Sequence, residues 1–441
     1  MLFIFRQLRA RFAYLALFLF STTSPYAQER VFTLKELFSL ADKNSKEIRF
    51  HQLAIREAEQ GVKVARNAYL PSLSVKAEAS YIGDGCMTDR DFSNAIHADM
   101  PHWGNSFVVK AQQVLYAGGG IRSGVRQSQL EKQIAEQEHL NSRQDLRFML
   151  AGYYLDLFQL RNQELVYRKN IEQTRLLVKD MQAAYRQGTA LKSDITRYEL
   201  QLQNLELGLT STTNRLNVLN HRLVTTLGIE PGTHIVPDTL YLKQVLIEER
   251  QESEWAAGIG ASPTMQLAGL GIKLEQNRRK LIQSEQLPHI SLSATNELNG
   301  PILVEVPPLN NNFAYWFVGI GISYNIDALF KGKRKLRQAD ISIQKQEEKR
   351  RLAEEELENS IHEAYINLQE AYTQLRTQKK SVQLAHENFD IVRQRYMNGL
   401  ALITDMLDAS NTQLDMELQL ANYQVGILYQ YFLLKKQIGA L

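Results

Sequence analysis

Three groups of residues in this chain are of types that could do chemistry. The run QVLYAGGGIRSGV (113–125) sets glycines between a strand-like and a helix-like pattern, as phosphate-cradling loops do. Cys86, His97, Asp99 and His102 offer groups that ligate zinc, and FKGKRK (330–335) offers lysines beside a glycine. None of the three keeps the spacing its chemistry requires. A dinucleotide-binding turn needs a helix of ordinary length, a second parallel strand and an acidic ribose partner, but here the pattern runs on without proline from Ile121 to Gln187. The four metal-type residues fit no zinc spacing, and FKGKRK lacks the Walker spacing and its closing hydroxyl. No Ser/His/Asp or Cys/His arrangement stands out, so the expectation is no enzyme, no catalytic residue, no cofactor and no metal.

Composition narrows the class further. The chain has 441 residues, 44% of them hydrophobic, and a mean hydropathy of −0.32, too polar for a bundle of membrane-spanning helices. Its 51 basic and 48 acidic residues are mixed along the chain and leave a net charge of +3, so nucleic acid is not an expected partner. The single cysteine, Cys86, rules out an intrachain disulfide and is expected in a loop. Residues 1–27 place Arg6, Arg9 and Arg11 before the apolar stretch Phe12 to Phe20 and end in small and polar residues at Ala27, the pattern of a cleaved secretory signal.

The elements that must position any site come twice. YRQGTALKSDI (185–195) matches YMNGLALITDM (396–406), and the offset of 211 residues recurs from Gly228 to Gly439 and from Tyr154 to Tyr365. Upstream, LPSLSVKA (70–77) matches LPHISLSA (287–294). Ile361, Leu368, Leu375, Val382, Phe389 and Tyr396 fall seven apart beside Leu357, Ala364, Ala371, Ala385 and Val392, which is coiled-coil spacing. Leu150, Leu157, Ile171, Val178 and Tyr185 repeat it in the first half, interrupted by Glu164. Each long helix is expected to run about 65 residues, roughly 100 Å at about 1.5 Å per residue. Gly188 and Gly399 suit the left-handed conformation that ends a helix; Ser193 and Thr404 are expected to cap the next, with Asp194 and Asp405 in its first turn.

Four segments alternate with period two. SLSVKAEASY (72–81), FVVKAQQVLY (107–116), HISLSATNE (289–297) and AYWFVGIGISYNI (314–326) each carry one apolar and one polar side, the second less cleanly than the others. In the last, aliphatic residues lie between Trp316 and Tyr324, a span of roughly 26 Å at about 3.3 Å per residue, close to the apolar band of an outer-membrane barrel. With Tyr81 and Tyr116, these rings are the candidate membrane-interface aromatics. Four strands cannot close a barrel, since the smallest have about eight, so several chains must combine.

The duplicated halves, the LYAGG-type start of the long helix and YMNGLALITDMLDASNTQL (396–414) together resemble the TolC family of outer-membrane efflux proteins, across essentially the whole mature chain. The resemblance implies an α+β membrane protein: long antiparallel coiled-coil helices form a periplasmic tunnel, and four strands from each protomer of a homotrimer close one transmembrane β-barrel. It implies an exit duct of a tripartite efflux or type I secretion system in the outer membrane of a Gram-negative bacterium. The expected partners are outer-membrane lipid, a periplasmic membrane-fusion adaptor and an inner-membrane pump of RND, ABC or MFS type. The family's two gate carboxylates match Asp405 and Asp408, and its tyrosine and aspartate that hold the entrance shut match Tyr396 and Asp194. Its arginine lock is replaced by Ala401. Arg197 lies one repeat before Asp408 and is expected to pair with a gate carboxylate. The turns Gly188, Thr189, Ala190, Leu191 and Gly399, Leu400, Ala401, Leu402 are the expected adaptor contacts.

The expected organisation is a signal over 1–27 and a first repeat over 28–230, with strands near 72–83 and 105–116, a long helix over 121–187 and a helix over 193–228. A linker follows over 231–261. The second repeat, 262–441, has strands near 289–298 and 313–326, a long helix over 333–398 and a helix over 403–438. The alternative is a periplasmic adaptor or structural coiled-coil protein, which would also carry a signal and heptads but not a duplicated strand block with a bilayer-height aromatic strand.

Overall fold

The computed structural model describes residues 29–238, 250–305 and 308–441, and the expected signal over 1–27 with its cleavage near Ala27 lies outside them. In chain order the elements are β1 (Glu29–Phe32), α1 (Leu34–Asn44), α2 (Lys46–Arg66), β2 (Ser72–Tyr81), β3 (Gly85–Met87), β4 (Ile96–Ala98), β5 (Trp103–Ala117), α3 (Gly120–Arg186) and α4 (Lys192–Leu227). There follow β6 (His234–Pro237), α5 (Glu252–Ala256), α6 (Pro263–Ser284), β7 (His289–Gly300), β8 (Phe313–Ser323), α7 (Asp327–Met397) and α8 (Ile403–Gln437). The duplicated build of helices and strands expected from the sequence is present. The described residues divide into two compact units, one within 29–52, 138–265 and 354–441, the other within 53–137 and 266–353.

The second unit holds an antiparallel sheet in the order β2-β5-β7-β8. Cross-strand partners share a face, so the register decides what each face carries. Leu73, Val75 and Ala77 oppose Ala111, Val109 and Phe107, while Leu292 and Ala294 oppose Ile320 and Val318. Ala111 in turn opposes Ala294, which joins the four apolar sides into one face. It is exposed: Ile320 is 68% and Val75 72% accessible. The other face carries Ser72, Ser74, Lys76 and Glu78 on β2, Lys110 on β5 and Ser291, Ser293 and Glu297 on β7. Between Val114 and Tyr116 a bulge shifts the β5–β7 register, which brings Tyr116 opposite Ile290 on the apolar face.

The glycines of 113–125 form the joint between β5 and α3. Gly118 and Gly119 both take left-handed φ, +59° and +86°. A Cβ on Gly118 would stand 2.7 Å from the Ser284 carbonyl oxygen and 2.8 Å from Leu287 Cβ, so this position needs glycine for space as well as for angle. In the second half α7 begins at Asp327 rather than near Lys333, because the Asn325 side chain accepts the Asp327 N–H at 3.1 Å and starts the helix early. FKGKRK is therefore helical.

In the first unit the heptad rows are the core. Leu357, Ile361, Ala364, Leu368, Ala371, Ala385 and Phe389 are buried on α7, as are Leu146, Leu150, Leu157, Ile171, Val178 and Met181 on α3. Glu164, where the first-half row breaks, is held at 2.6 Å by Arg168 one turn on. β1 pairs in parallel with β6, and the buried Tyr154 hydroxyl donates to Phe32 O at 2.8 Å and accepts the Asp238 N–H at 2.9 Å. Among the described residues no helix is long and apolar enough to cross a membrane.

Candidate functional site

Both long helices of the first unit end in the same way. In α3 the Thr189 N–H reaches Ala184 O at 3.0 Å and the Gly188 N–H reaches Tyr185 O at 3.0 Å. In α7, one repeat later, Leu400 reaches Arg395 O at 2.8 Å and Gly399 reaches Tyr396 O at 2.9 Å. With Gly188 and Gly399 at φ +76° and +72°, these are paired Schellman turns. Each then passes through an extended leucine, Leu191 or Leu402, into α4 or α8.

Those leucines are the N-caps, which corrects the expectation for Ser193 and Thr404. An N-cap must have non-helical backbone, and the two hydroxyl residues already lie inside the helices. Capping falls to the third helical position. Asp405 reaches back to accept the Leu402 N–H at 3.0 Å, half of a capping box. Asp194, its equivalent, is engaged elsewhere: it takes the Tyr396 hydroxyl at 3.3 Å and the Ser193 hydroxyl at 3.4 Å.

Beneath the turns Leu177, Val178, Met181, Ile195, Tyr198, Phe389, Ile403, Met406 and Ala409 form one buried cluster from α3, α4, α7 and α8, with Tyr396 packed against it. Burial, and then the Asp194 charge, pushes the Tyr396 hydroxyl above the ordinary tyrosine range. Burial also raises Tyr198, whose side chain is fully enclosed and whose hydroxyl has no hydrogen-bond partner among the described residues. The sequence singles out Tyr396 and Asp194 but not Tyr198, whose repeat partner is Ala409 and which no pattern sets apart.

The structure brings Tyr396 and Asp194 together; Asp405, Asp408 and Arg197 are not drawn into that contact, and among the described residues Arg197 makes no ion pair within the chain. Thr189 is exposed, Ala190 and Ala401 are half-buried, and Leu191, Leu400 and Leu402 hold large apolar side chains out to solvent. Three exposed leucines on two short turns form a surface suited to contact.

On the sheet, the aromatic residues of the apolar face lie toward its two ends, with Phe107 between Trp103 and Trp316 in register. Tyr81 and Trp316 stand at the end where β2 finishes and β8 begins, and Tyr116 and Tyr324 stand at or just past the opposite end. Trp103 joins Tyr81 at the first of these ends: it is the register partner of Tyr81, with ring centroids 5.7 Å apart, and it opens β5 two residues before the expected start near 105.

The metal-type residues do not converge. Cys86 is in β3 opposite His97 of β4, a correction to its expected loop position that arises because two short strands pair inside the loop. His102 stacks on Tyr81 and its Nδ1 lies 3.0 Å from Ile82 O. Among the described residues no three His, Cys, Asp or Glu side chains form a group that could hold a metal ion.

A sheet with one aromatic-bordered apolar face, joined to duplicated long helices that end in matched turns, is the build of an outer-membrane channel protomer. The chain belongs to the outer membrane efflux protein family, whose model matches residues 37–228 and 259–439; these are channel proteins, not enzymes. Its fold is similar to that of the outer-membrane protein VceC of Vibrio cholerae, with a TM-score of 0.72 at 16% identity over 92% of this chain and 96% of that one. The outer-membrane channel OprN gives 0.74 at 17% identity over 92% and 90%, and the Campylobacter jejuni channel CmeC 0.73 at 13% over 92% and 85%. No curated protein matches the sequence.

Proposed function

We propose that three copies of this chain form a passive exit duct of a tripartite efflux or type I secretion system, gated at the turns that end the long helices. The observation that carries this reading is the four-stranded sheet, whose apolar face is bare and whose outer strands, β2 and β8, each pair on one side only among the described residues. Such a sheet is stable in a bilayer only when its edges are closed by copies of itself. An adaptor or structural coiled coil would have no use for that face.

The gate is assigned to Asp405 and Asp408, with Tyr396 and Asp194 holding the closed form and Arg197 as the partner of a gate carboxylate. Three chains would set six carboxylates around one axis, a barrier to anions and a site for cations. The exposed leucines of the turns meet a periplasmic adaptor, and an RND, ABC or MFS pump supplies the energy. The leader over 1–27 directs export and is removed near Ala27. Membrane fractionation followed by single-channel recording tests the reading: the chain sediments with outer membranes and conducts, and a soluble monomer without conductance would overturn it.

A further inference from the structure

At the end of the sheet marked by Tyr116 and Tyr324, the second unit passes from strands to helices. Just beyond it lies a groove of about 1170 Å³ whose lining includes Arg122, Arg126 and Lys280 together with Tyr69, Leu329 and Leu336. The lining contains no carboxylate. Among the described residues none of the three cations makes an ion pair, although other basic residues of the same unit do: Lys132 holds Glu59 at 3.0 Å, Arg279 holds Asp340 at 2.5 Å and Lys335 holds Glu285 at 3.0 Å. The groove thus holds three cations with no carboxylate partner among the described residues.

Two further features point the same way. Helix α3 begins at Gly120, between the groove-lining Gly119 and Arg122, and has no acidic residue in its first turn, so the positive end of its dipole is not neutralised from within the helix. Beside the cations Leu329 lines the groove, and its chain neighbours Ile326 and Phe330 are exposed, at 63% and 76% accessible. Positive charge and open apolar surface meet at one level. A free phosphate would need only the first.

We infer that this groove binds the headgroup of an anionic phospholipid, its phosphate on Arg122, Arg126 and Lys280 and its acyl chains along Leu329, Phe330 and Ile326. This rests on the barrel reading, since that reading places Tyr116 and Tyr324 at a membrane surface, where basic groups attract anionic lipid. The site would fix the depth at which the joint between strand and helix sits.

The full chain is reconstituted into nanodiscs of phosphatidylethanolamine with and without phosphatidylglycerol, and retained lipid is counted by native mass spectrometry. Phosphatidylglycerol is expected to be enriched on the wild type and to raise its melting temperature. Arg122→Gln and Lys280→Gln are each expected to lower retention about fivefold, following the attraction of a basic side chain to an anionic surface. Equal retention by wild type and the double variant, or no enrichment on either, would overturn the inference. So would equal stabilisation by inorganic phosphate in phosphatidylethanolamine alone. Conductance in pure phosphatidylethanolamine bilayers tests the channel reading separately, because both variants should conduct there like the wild type.

Discussion

The Tyr396 hydroxyl donates to the Asp194 carboxylate across 3.3 Å, joining a residue that ends the long helix of one half to one that begins the second helix of the other. Apart from the buried cluster, this bond ties the two turns together. Tyr396→Phe removes it while keeping the ring. At about 1 kcal/mol for a long bond to a charged acceptor, the open population should rise roughly fivefold, read as open probability in planar bilayers. An unchanged open probability would detach this pair from gating.

The same tyrosines set a pH dependence. Tyr396 and Tyr198 have their hydroxyl pKa values raised in the folded turns, so their neutral forms are favoured there. The stability they contribute is fully present below the ordinary tyrosine value of about 10 and is lost as pH rises through the raised values. Melting temperature should therefore fall in strong alkali, and Tyr198→Phe should flatten that fall. Tyrosinate absorbance that titrates entirely at the ordinary value would contradict it.

Asp405 and Asp408 separate into two tasks. Asp405 caps α8 through the Leu402 N–H, whereas Asp408 is assigned only to the pore. Asp405→Ala should lower stability by about 1 kcal/mol. Asp408→Asn should leave melting unchanged and weaken block by divalent cations, measured as the blocking concentration in single-channel recordings. If Asp408→Asn shifts melting but not block, its pore assignment fails.

Ile320 and Gly319 are neighbours on β8 that face opposite sides of the sheet. Arginine at Ile320 places a charge on the apolar face at a cost of about 2–4 kcal/mol near mid-bilayer, and insertion should be lost. Arginine at Gly319 projects from the polar face into open space and should be tolerated. Outer-membrane yield of the two variants measures the difference, and equal yields would mean that the apolar face does not meet lipid.

Gly118→Ala should destabilise strongly, since its φ of +59° alone costs about 1–2 kcal/mol for a residue with a Cβ and the contact with Ser284 O adds to it. Gly124→Ala, in α3 with nothing within 4 Å of the new methyl, should stabilise by about 0.5–1 kcal/mol. Melting in detergent distinguishes the two signs.

The parts of this fold legible in the sequence are those governed by repetition. Ile361, Ala364, Leu368 and Ala371 are buried because seven-residue spacing keeps one side of a helix against its neighbour, and that spacing is visible without coordinates. Gly188 and Gly399 declare their turns because only a residue without a Cβ takes that φ cheaply. What escapes is set by tertiary context. Buried Gln378 sits in the α7 seam between Ala371 and Ala385, and its amide donates to Met416 O at 2.9 Å, a partner no local pattern names. Trp103 joins the aromatic residues at one end of the sheet because β5 starts two residues earlier than its alternation suggests, and the N-cap leucines replace Ser193 and Thr404 because backbone angle, not side-chain chemistry, decides where a helix starts.

β2 and β8 leave two hydrogen-bonding edges on a sheet whose apolar face is already exposed. Under the three-copy reading, a chain built this way has no finished state by itself, and its maturation is a meeting of copies with a rate that climbs faster than in proportion to their number. A copy with one blocked edge would end the ring it joins. Under the three-copy reading, a minority of defective chains would therefore silence more ducts than its own share.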